Sequence, residues 1–484
     1  MVNQGQIFKL KTLKIIFFAV VAISILGRLS IAHIPFGGWD DYNETSYTGG
    51  ARNLVRGIGS LWAFVNVENN KIFEVTPFLM YLVSLFFKLF GVSEFVARLV
   101  PIICSSTTLV FVYLLGEAIF DKGTALLAAS LMALNSMFNM YGFIVQTDSV
   151  FVCFMAGSFY FYLKSIKEGK FSCFILSGLL SGIAVFSKQS ALLGPIIVSS
   201  TEISRVFLDK QGFKKSLGRI ILFILLSLLI VAPWFMHNYL RWGMEFVKHL
   251  DGDVTLGEVS ILRAGDFIFR TFEPVYLPLI LLGFFLSFKK NVMYLFLVFW
   301  ITAVFILICF KNPHNYYTFP LIPVSFLFIS YALQWLYSRI RRKDFRLLLG
   351  SCVIGLFMLS ALFTYKRFLN RKIGCDEVAQ LRDYCNSSAS RSVYSLSGLY
   401  KAERYYIEPQ PMELKNIADI EKERKKQDVF VYRRLDYVKT AEFTKTLLKS
   451  ASSYKIISQR KYSFFLKMSL VPIFEVFKFD KVAS

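Results

Sequence analysis

Long apolar runs separated by short polar joints set the character of this chain. The runs lie near 13–34, 97–119, 123–141, 149–164, 171–187, 189–206, 218–236, 271–287, 292–310, 317–337 and 346–366. A helix needs about 20 such residues to cross a bilayer, so the pattern predicts a polytopic helical membrane protein of about 11 spans. A further run at 77–90, "PFLMYLVSLFFKLF", is short for a span, follows a proline and carries Lys88.

The polar joints settle how that run is treated. Basic clusters recur in the short loops "KSIKEGK" (164–170), "DKQGFKKSLGR" (209–219), "FKK" (288–290) and "SRIRRKDFR" (338–346). Basic loops mark the cytoplasmic side, as does the "KLKTLK" N-terminus. Counting back from 164–170 places the turn around Asp148 outside and 120–122 inside. The run 97–119 then starts outside, and 35–96 becomes one large outer loop. On that parity 77–90 does not cross; it is expected to lie in the interface as a juxtamembrane helix or to re-enter from the outer side. The N-terminal run is long enough to span and lacks a small-x-small cleavage pattern, so it is read as a retained first helix. The N-terminus is expected in the cytoplasm of a plasma (inner) membrane protein and the C-terminus outside.

Beyond about residue 370 the pattern changes. Charges become dense, and "SVYSL", "DVFVYRR", "YKIIS" and "YSFFLKM" read as strands between helical stretches such as "EVAQLRDYC" and "TAEFTKTLLKS". The expected organisation is a transmembrane domain over 1–370 and a small extracytoplasmic α/β domain over 371–484.

Composition agrees with the membrane reading: 55% hydrophobic and 17% aromatic residues, with a mean hydropathy of +0.51. The formal net charge of +22 does not signal nucleic acid, because it is carried by the interhelical loops. Of seven cysteines, five fall in apolar runs. Cys375 and Cys385 lie in the polar tail, where a disulfide between them is possible if the tail is exported. Nothing has the spacing of a zinc site.

With this topology the unusual polar residues gather on the outer face. The first outer loop holds Asp40, Asp41, Glu44 and Glu74. Later outer turns contribute Asp148, Lys188, the group His237, Arg241 and His249, and the group Lys311, His314, Tyr316 and Tyr317. Each has an ordinary reading: Asp148 could cap a helix, Lys188 could snorkel, and paired acids in a loop are usually solvated. Ionisable groups at membrane depth are costly, however, and their sharing of one face points to a site. Together they offer carboxylates for a base or a metal and cations for a phosphate.

These residues stand in a recognisable order. A "DD" pair follows the first span, then "EVTP" (74–77), "LFGVSEFVARLVP", "YGFIVQTDS", "FSKQSALLGP", "PWF" and "HNYYTFPLIP". Over roughly residues 10–340 this resembles the C-type membrane glycosyltransferases, in particular the protein O-mannosyltransferase and lipid A aminoarabinose transferase relatives. The resemblance implies transfer of a sugar from a polyprenyl-phosphate donor, outside the cytoplasm and with inversion. The acceptor could be lipid A or another glycolipid, a cell-envelope glycan or a protein hydroxyl.

By the same resemblance Asp40 matches the catalytic carboxylate. Asp41 stands where the family has Glu, and the spacing to "ARNLV" is about two residues longer, which leaves Asp41 open as the base. Asp148 matches the second acid. Glu74 matches a metal-binding acid, with His249 as a second ligand for a divalent cation (Mg, Mn or Zn). Lys188, Arg98, His314, Tyr316 and Tyr317 match positions expected to meet the donor phosphate. "EVTP" lacks the lysine and one proline of the family's "EKPP", and "SKQS" lacks the Gly-Pro of "TKGP". Two other readings stay open from the sequence: a multi-spanning lipid or sugar transporter or flippase, and a non-catalytic family member.

Overall fold

The computed structural model describes residues 7, 9–36, 42–62, 64–65, 71–72, 76–247, 260–288, 291–310, 315–385, 391–395, 412–413, 420, 422–423, 426–434, 451–462 and 468–480. The first span forms α1 (Leu10–Ser30), and the long loop after it supplies α2 (Tyr42–Val55), a two-stranded ribbon of β1 (Phe64–Val65) and β2 (Lys71–Ile72), and α3 (Phe78–Phe90). The membrane pattern continues through α4 (Glu94–Ile119), α5 (Lys122–Leu134), α6 (Ser136–Tyr141), α7 (Thr147–Glu168), α8 (Phe171–Ser187), α9 (Leu193–Leu208) and α10 (Phe213–Trp242). It ends with α11 (Ile261–Thr271), α12 (Glu273–Leu286), α13 (Val292–Phe310), α14 (Leu321–Arg339) and α15 (Lys343–Cys385).

Eight of these helices are long and apolar enough to cross a membrane, or nine if α11 and α12, bent by 108°, count as one broken span. That is fewer than the 11 spans expected from the apolar runs. The run 123–141 is not one rod: Asn135 ends α5, and its Oδ1 accepts the Phe138 amide at 2.8 Å to start α6. The run 171–187 gives α8, 17 residues long, about 26 Å at the usual rise and so short for a full crossing. The helix α3 has 13 residues, about 20 Å, too short to span. It buries Leu79, Met80, Val83 and Phe87 and leaves Leu85, Leu89 and Phe90 exposed.

One buried cation, Arg28, and one buried acid, Glu202, inside apolar runs hold the bundle together. Arg28 of α1 donates to the Ser24 carbonyl at 3.1 Å, to the Ser24 and Ser106 hydroxyls at 3.2 and 3.4 Å, and to the Ser105 hydroxyl. Ser24 in turn donates to Asn139 Oδ1 at 2.6 Å, so α1, α4 and α6 share one polar knot. At the other end of the bundle, fully buried Glu202 of α9 accepts from Tyr162 of α7 at 3.1 Å and from Arg205 at 3.0 Å. It also accepts from Gln211 at 3.0 Å and from Arg219 of α10 at 2.8 Å. Buried charge is tolerated only when paired in this way. Close helix contact is secured by glycine: a Cβ on Gly182 of α8 would come within 2.6 Å of the Ser227 carbonyl of α10.

The polar tail forms a mixed five-stranded sheet in the order β4-β3-β5-β7-β6, where β3 is Arg391–Ser395, β4 Met412–Glu413, β5 Asp428–Arg434, β6 Ser453–Tyr462 and β7 Met468–Phe479. β3 pairs in parallel with β4 and β5; β7 pairs antiparallel with β5 and β6. Of the expected strand 462–468, Tyr462 ends β6 and Met468 begins β7, while 463–467 lie outside the described residues; β7 was missed because Pro472 interrupts its apolar pattern. Pro472 sits beyond the stretch of β7 paired to β5, beside the register shift at Ile457/Ser458, where a missing N–H is tolerated. The expected helix 440–450 lies outside the described residues. The boundary placed at 370/371 falls within α15, which runs without a break from the apolar bundle to the sheet. Leu381 and Cys385 at its end pack with Val393, Phe430 and Val476 of the sheet.

That continuity corrects the disulfide expectation. Cys375 and Cys385 both belong to α15, and ten residues of helix separate their backbones by about 15 Å. A disulfide requires Cα atoms about 4.4–6.8 Å apart. Cys385 is buried against the sheet.

Candidate active site

Three chain segments meet at Asp148. The turn after α6 leads into α7, whose cap position is Gln146 with no side-chain cap bond, so Asp148 lies in the first turn and is not the capping residue. Its carboxylate is buried and meets Lys188 Nζ at 2.7 Å; the two side chains are 3% and 16% exposed. Lys188 ends α8 in extended backbone, ahead of a 3-10 turn at Gln189–Leu192. The third segment is the 3-10 turn Asn315–Thr318. It places the Tyr316 and Tyr317 rings 4.4 and 5.0 Å from the Lys188 ammonium. Lys188 therefore does not snorkel freely; a carboxylate and two aromatic faces hold it.

Burial, then the neighbouring Tyr317 and Asp148, push the Tyr316 phenol well above its ordinary value. It stays protonated and offers an O–H. Tyr47 of α2 is among the groups that act on Tyr316, so the loop after α1 reaches this cluster. On either side of Asp148, Gln146 Oε1 and Ser149 Oγ are buried without a hydrogen-bond partner in the protein. Unpaired buried polar atoms are rare in native interiors. Two of them stand beside Asp148 along the chain.

Arg98 occupies a different position from the one expected. Its Nε and Nη2 make a two-pronged bond to Glu44 at 2.9 and 3.1 Å, and both groups are fully buried. Nη1 donates to the carbonyls of Ala32 (3.1 Å) and Ile34, and Nη2 also reaches Pro35 at 3.2 Å. The rings of Phe36 and Phe143 lie 4.9 and 4.6 Å from the guanidinium. A guanidinium has five N–H donors, and these bonds use all of them. Arg98 is therefore not a donor-phosphate ligand. It is a clasp that grips the chain on both sides of the segment containing Asp40 and Asp41. Glu44 completes the clasp by accepting the Val145 amide at 3.2 Å, three residues ahead of Asp148.

Thr76, from the "EVTP" motif, donates to the Ser187 carbonyl at 2.9 Å, which ties the start of α3 to the residue before Lys188. The structure thus brings together Asp148, Lys188, Tyr316 and Tyr317. Asp40, Asp41, Glu74, His249 and His314 lie outside the described residues. Among the described residues no group of three or more His, Cys, Asp or Glu is placed to hold a metal ion. Sequence reasoning named Glu44 without giving it a role, and missed Gln146, Ser149 and Thr76. Only Glu44 carried a signal, as a third acid in the first outer loop.

Residues 74–237 match the family described as dolichyl-phosphate-mannose-protein mannosyltransferase. An uncharacterized protein of Aquifex aeolicus (strain VF5) is 24% identical over 296 residues, 60% of this chain; the match spans about half (54%) of that relative. Among solved structures, ArnT from Cupriavidus metallidurans in the apo state aligns with a TM-score of 0.68 at 15% identity, covering 96% of this chain and 97% of that one. The same protein bound to undecaprenyl phosphate gives 0.66 at 15% identity, with 97% and 98% covered. The archaeal oligosaccharyltransferase AglB from Archaeoglobus fulgidus, in complex with an inhibitory peptide and a dolichol-phosphate, gives 0.56 at 13% identity, with 94% and 74% covered. The chain is thus a multi-pass membrane protein that shares the fold of ArnT almost from end to end, and its segment holding Arg98, Asp148 and Lys188 is the one that matches the mannosyltransferase family.

Proposed function

We propose that the protein transfers a sugar from a polyprenyl-phosphate carrier to an acceptor hydroxyl on the extracytoplasmic side of the membrane. The observation that carries this reading is the buried cluster of Lys188, Asp148, Tyr316 and Tyr317, with unpaired Gln146 Oε1 and Ser149 Oγ beside it. A phosphate arriving there meets an ammonium and a phenol O–H in a setting of low dielectric, where such contacts act strongly. ArnT and AglB, which share the fold, have been described with undecaprenyl phosphate and with a dolichol-phosphate, and this supports the choice of carrier.

In the reaction, the acceptor oxygen attacks the anomeric carbon opposite the phosphate. The bond from that carbon to the phosphate oxygen breaks, and polyprenyl phosphate leaves. The configuration inverts, and the acceptor's proton passes to a carboxylate. Asp40 or Asp41 is assigned as that base, because both lie in the segment whose flanks Arg98 fastens beside α7. Lys188 and the Tyr316 O–H stabilise the phosphate as it departs. Asp148 holds Lys188 in place, and His314 and Tyr317 are assigned to the same phosphate. The acceptor is a glycolipid, a cell-envelope glycan or a protein hydroxyl.

A divalent cation on Glu74 and His249 would add charge to offset the phosphate, but no step of the transfer passes through it; transfer that survives chelator treatment of the purified protein would dismiss the metal. The main test is transfer by Asp40→Asn and Asp41→Asn made separately. One of the two is expected to lose at least about 100-fold, in keeping with the usual size of general-base catalysis. Full activity in both would sink the assignment.

A further inference from the structure

The outer end of α10 carries a second group of unpaired polar atoms, with no part in binding the phosphate or moving the proton. Trp234, His237 and Asn238 fall at i, i+3 and i+4 and so share one face of the helix. Trp234 is 3% exposed and Asn238 fully buried. Trp234 Nε1, His237 Nε2 and Asn238 Oδ1 are all buried with no hydrogen-bond partner in the protein. The Asn238 amide nitrogen donates one of its two hydrogens to the Trp234 carbonyl at 3.0 Å, and Oδ1 accepts none. A single orphan can be an accident of packing. Three on one face within five residues are not readily explained that way.

Aromatic surfaces wall this face. Trp62, from the first outer loop, stacks on His237 with ring centroids 4.1 Å apart and planes at 24°. Phe246 and Phe186 approach Trp234 at 5.7 and 6.3 Å. Phe186 lies two residues before Lys188, and Tyr81 and Phe78 of α3 pack on its other side at 6.0 Å each. The group is therefore packed, through Phe186, against the end of α8 that leads into Lys188.

The chemistry narrows the occupant. Trp234 Nε1 can only donate and Asn238 Oδ1 can only accept, while His237 Nε2 does either according to its tautomer. Among these three residues none is a carboxylate or a permanent cation, so the face suits a neutral partner. A partner with hydroxyls that both donate and accept, and with C–H faces to lie against aromatic rings, fits this lining. We infer that Trp234, His237 and Asn238, roofed by Trp62, form a subsite for a sugar ring next to the phosphate position. This rests on the glycosyltransferase reading and adds to it the residues that would recognise the sugar.

The test uses the full chain in nanodiscs, titrated with bare undecaprenyl phosphate and with undecaprenyl phosphate bearing mannose, glucose or arabinose. The wild type is expected to bind one sugar-bearing lipid at least about tenfold more tightly than the bare lipid. His237→Phe, which keeps the stacked ring, and Asn238→Leu should each lower that preference by about three- to tenfold, the range of a single hydrogen bond. Trp62→Ala should do the same. Unchanged affinity for the bare lipid reports that each variant is folded. A loss confined to acceptor KM in a transfer assay, with donor preference kept, supports the sugar subsite and assigns it to an acceptor sugar. Variants that keep both the preference and the acceptor KM overturn the subsite while the transfer reading stands. A wild type that binds neither the bare nor the sugar-bearing lipid overturns the transfer reading and the subsite with it.

Discussion

Lys188 and Asp148 each make the other tolerable in a buried setting, and this sets what their removal would do. Lys188→Met leaves a buried carboxylate without its cation, which costs about 3–5 kcal/mol when a buried pair is broken from one side. The double change Lys188→Met with Asp148→Asn removes both charges and should recover most of that stability. Transfer should stay lost in both variants, because the ammonium proposed to meet the phosphate is gone. Thermal melts in detergent beside a transfer assay check this; a double variant as unstable as the single one would refute it. Arg98 is tested differently. Arg98→Lys keeps the charge but offers three donors where five are used, and it cannot fork onto Glu44. Transfer is expected to fall at least about tenfold, and amide exchange over 32–48 to rise, since each bond lost to a charged group weakens the clasp by about 1.5–3 kcal/mol. Unchanged exchange over 32–48 would show that Arg98 does not hold the acidic segment.

At the scale of elements, the pieces that set the site are fixed by a few polar ties between apolar helices. Thr76 connects the start of α3 to the end of α8, and Glu44 connects α2 to the turn before α7. At the opposite end of the bundle, Glu202 gathers α7, α9 and α10 through Tyr162, Arg205 and Arg219. Glu202→Gln leaves two guanidinium groups without their shared carboxylate, so a loss of about 3–5 kcal/mol is expected. Because the knot is remote from Lys188, transfer per folded molecule should be unchanged. A melting shift with normal specific activity is the predicted result; normal stability would mean that the knot contributes nothing. Gly182→Ala belongs to the same scale. Its Cβ would press on the Ser227 carbonyl, and such overpacking costs about 1–3 kcal/mol. The short apolar helices α3 and α8 show why run length alone miscounts spans. Hydropathy registers the composition of a segment, but where a helix breaks depends on local bonds such as Asn135 to Phe138.

For the whole molecule, α15 is the decisive element. It carries the chain from the apolar bundle to the five-stranded sheet without a joint. The membrane span and the tail therefore share a backbone rod, and the pair Cys375–Cys385 is held too far apart to oxidise. Gel mobility with and without reductant should be identical under denaturing conditions, and Cys385 should resist thiol reagents until the sheet unfolds. The orientation drawn from the basic loops makes a separate prediction. Reporter fusions after 209–219 and 338–346 should read as cytoplasmic, and a fusion after residue 480 as exported. The opposite pattern would put the proposed site on the cytoplasmic side, the wrong side for transfer to an extracytoplasmic acceptor.

The sequence alone carried the membrane class, because apolar runs and basic joints are local and additive properties. It carried the turn residues Asp148, Lys188, Tyr316 and Tyr317 for a related reason: polar groups stand out against apolar runs. It also showed that α3 is too short to cross. What it left open is everything that depends on partners distant along the chain. Whether Arg98 meets a ligand or closes on Glu44 and three carbonyls is decided by residues up to 66 positions away. The joining of Asp148 to Lys188 spans 40 positions, and that of Thr76 to Ser187 spans 111. Arg28 and Glu202 were hidden inside runs whose mean hydropathy they scarcely alter. In lipid or a packed core, a charge survives only where the fold supplies its partner. That supply is a property of the tertiary structure.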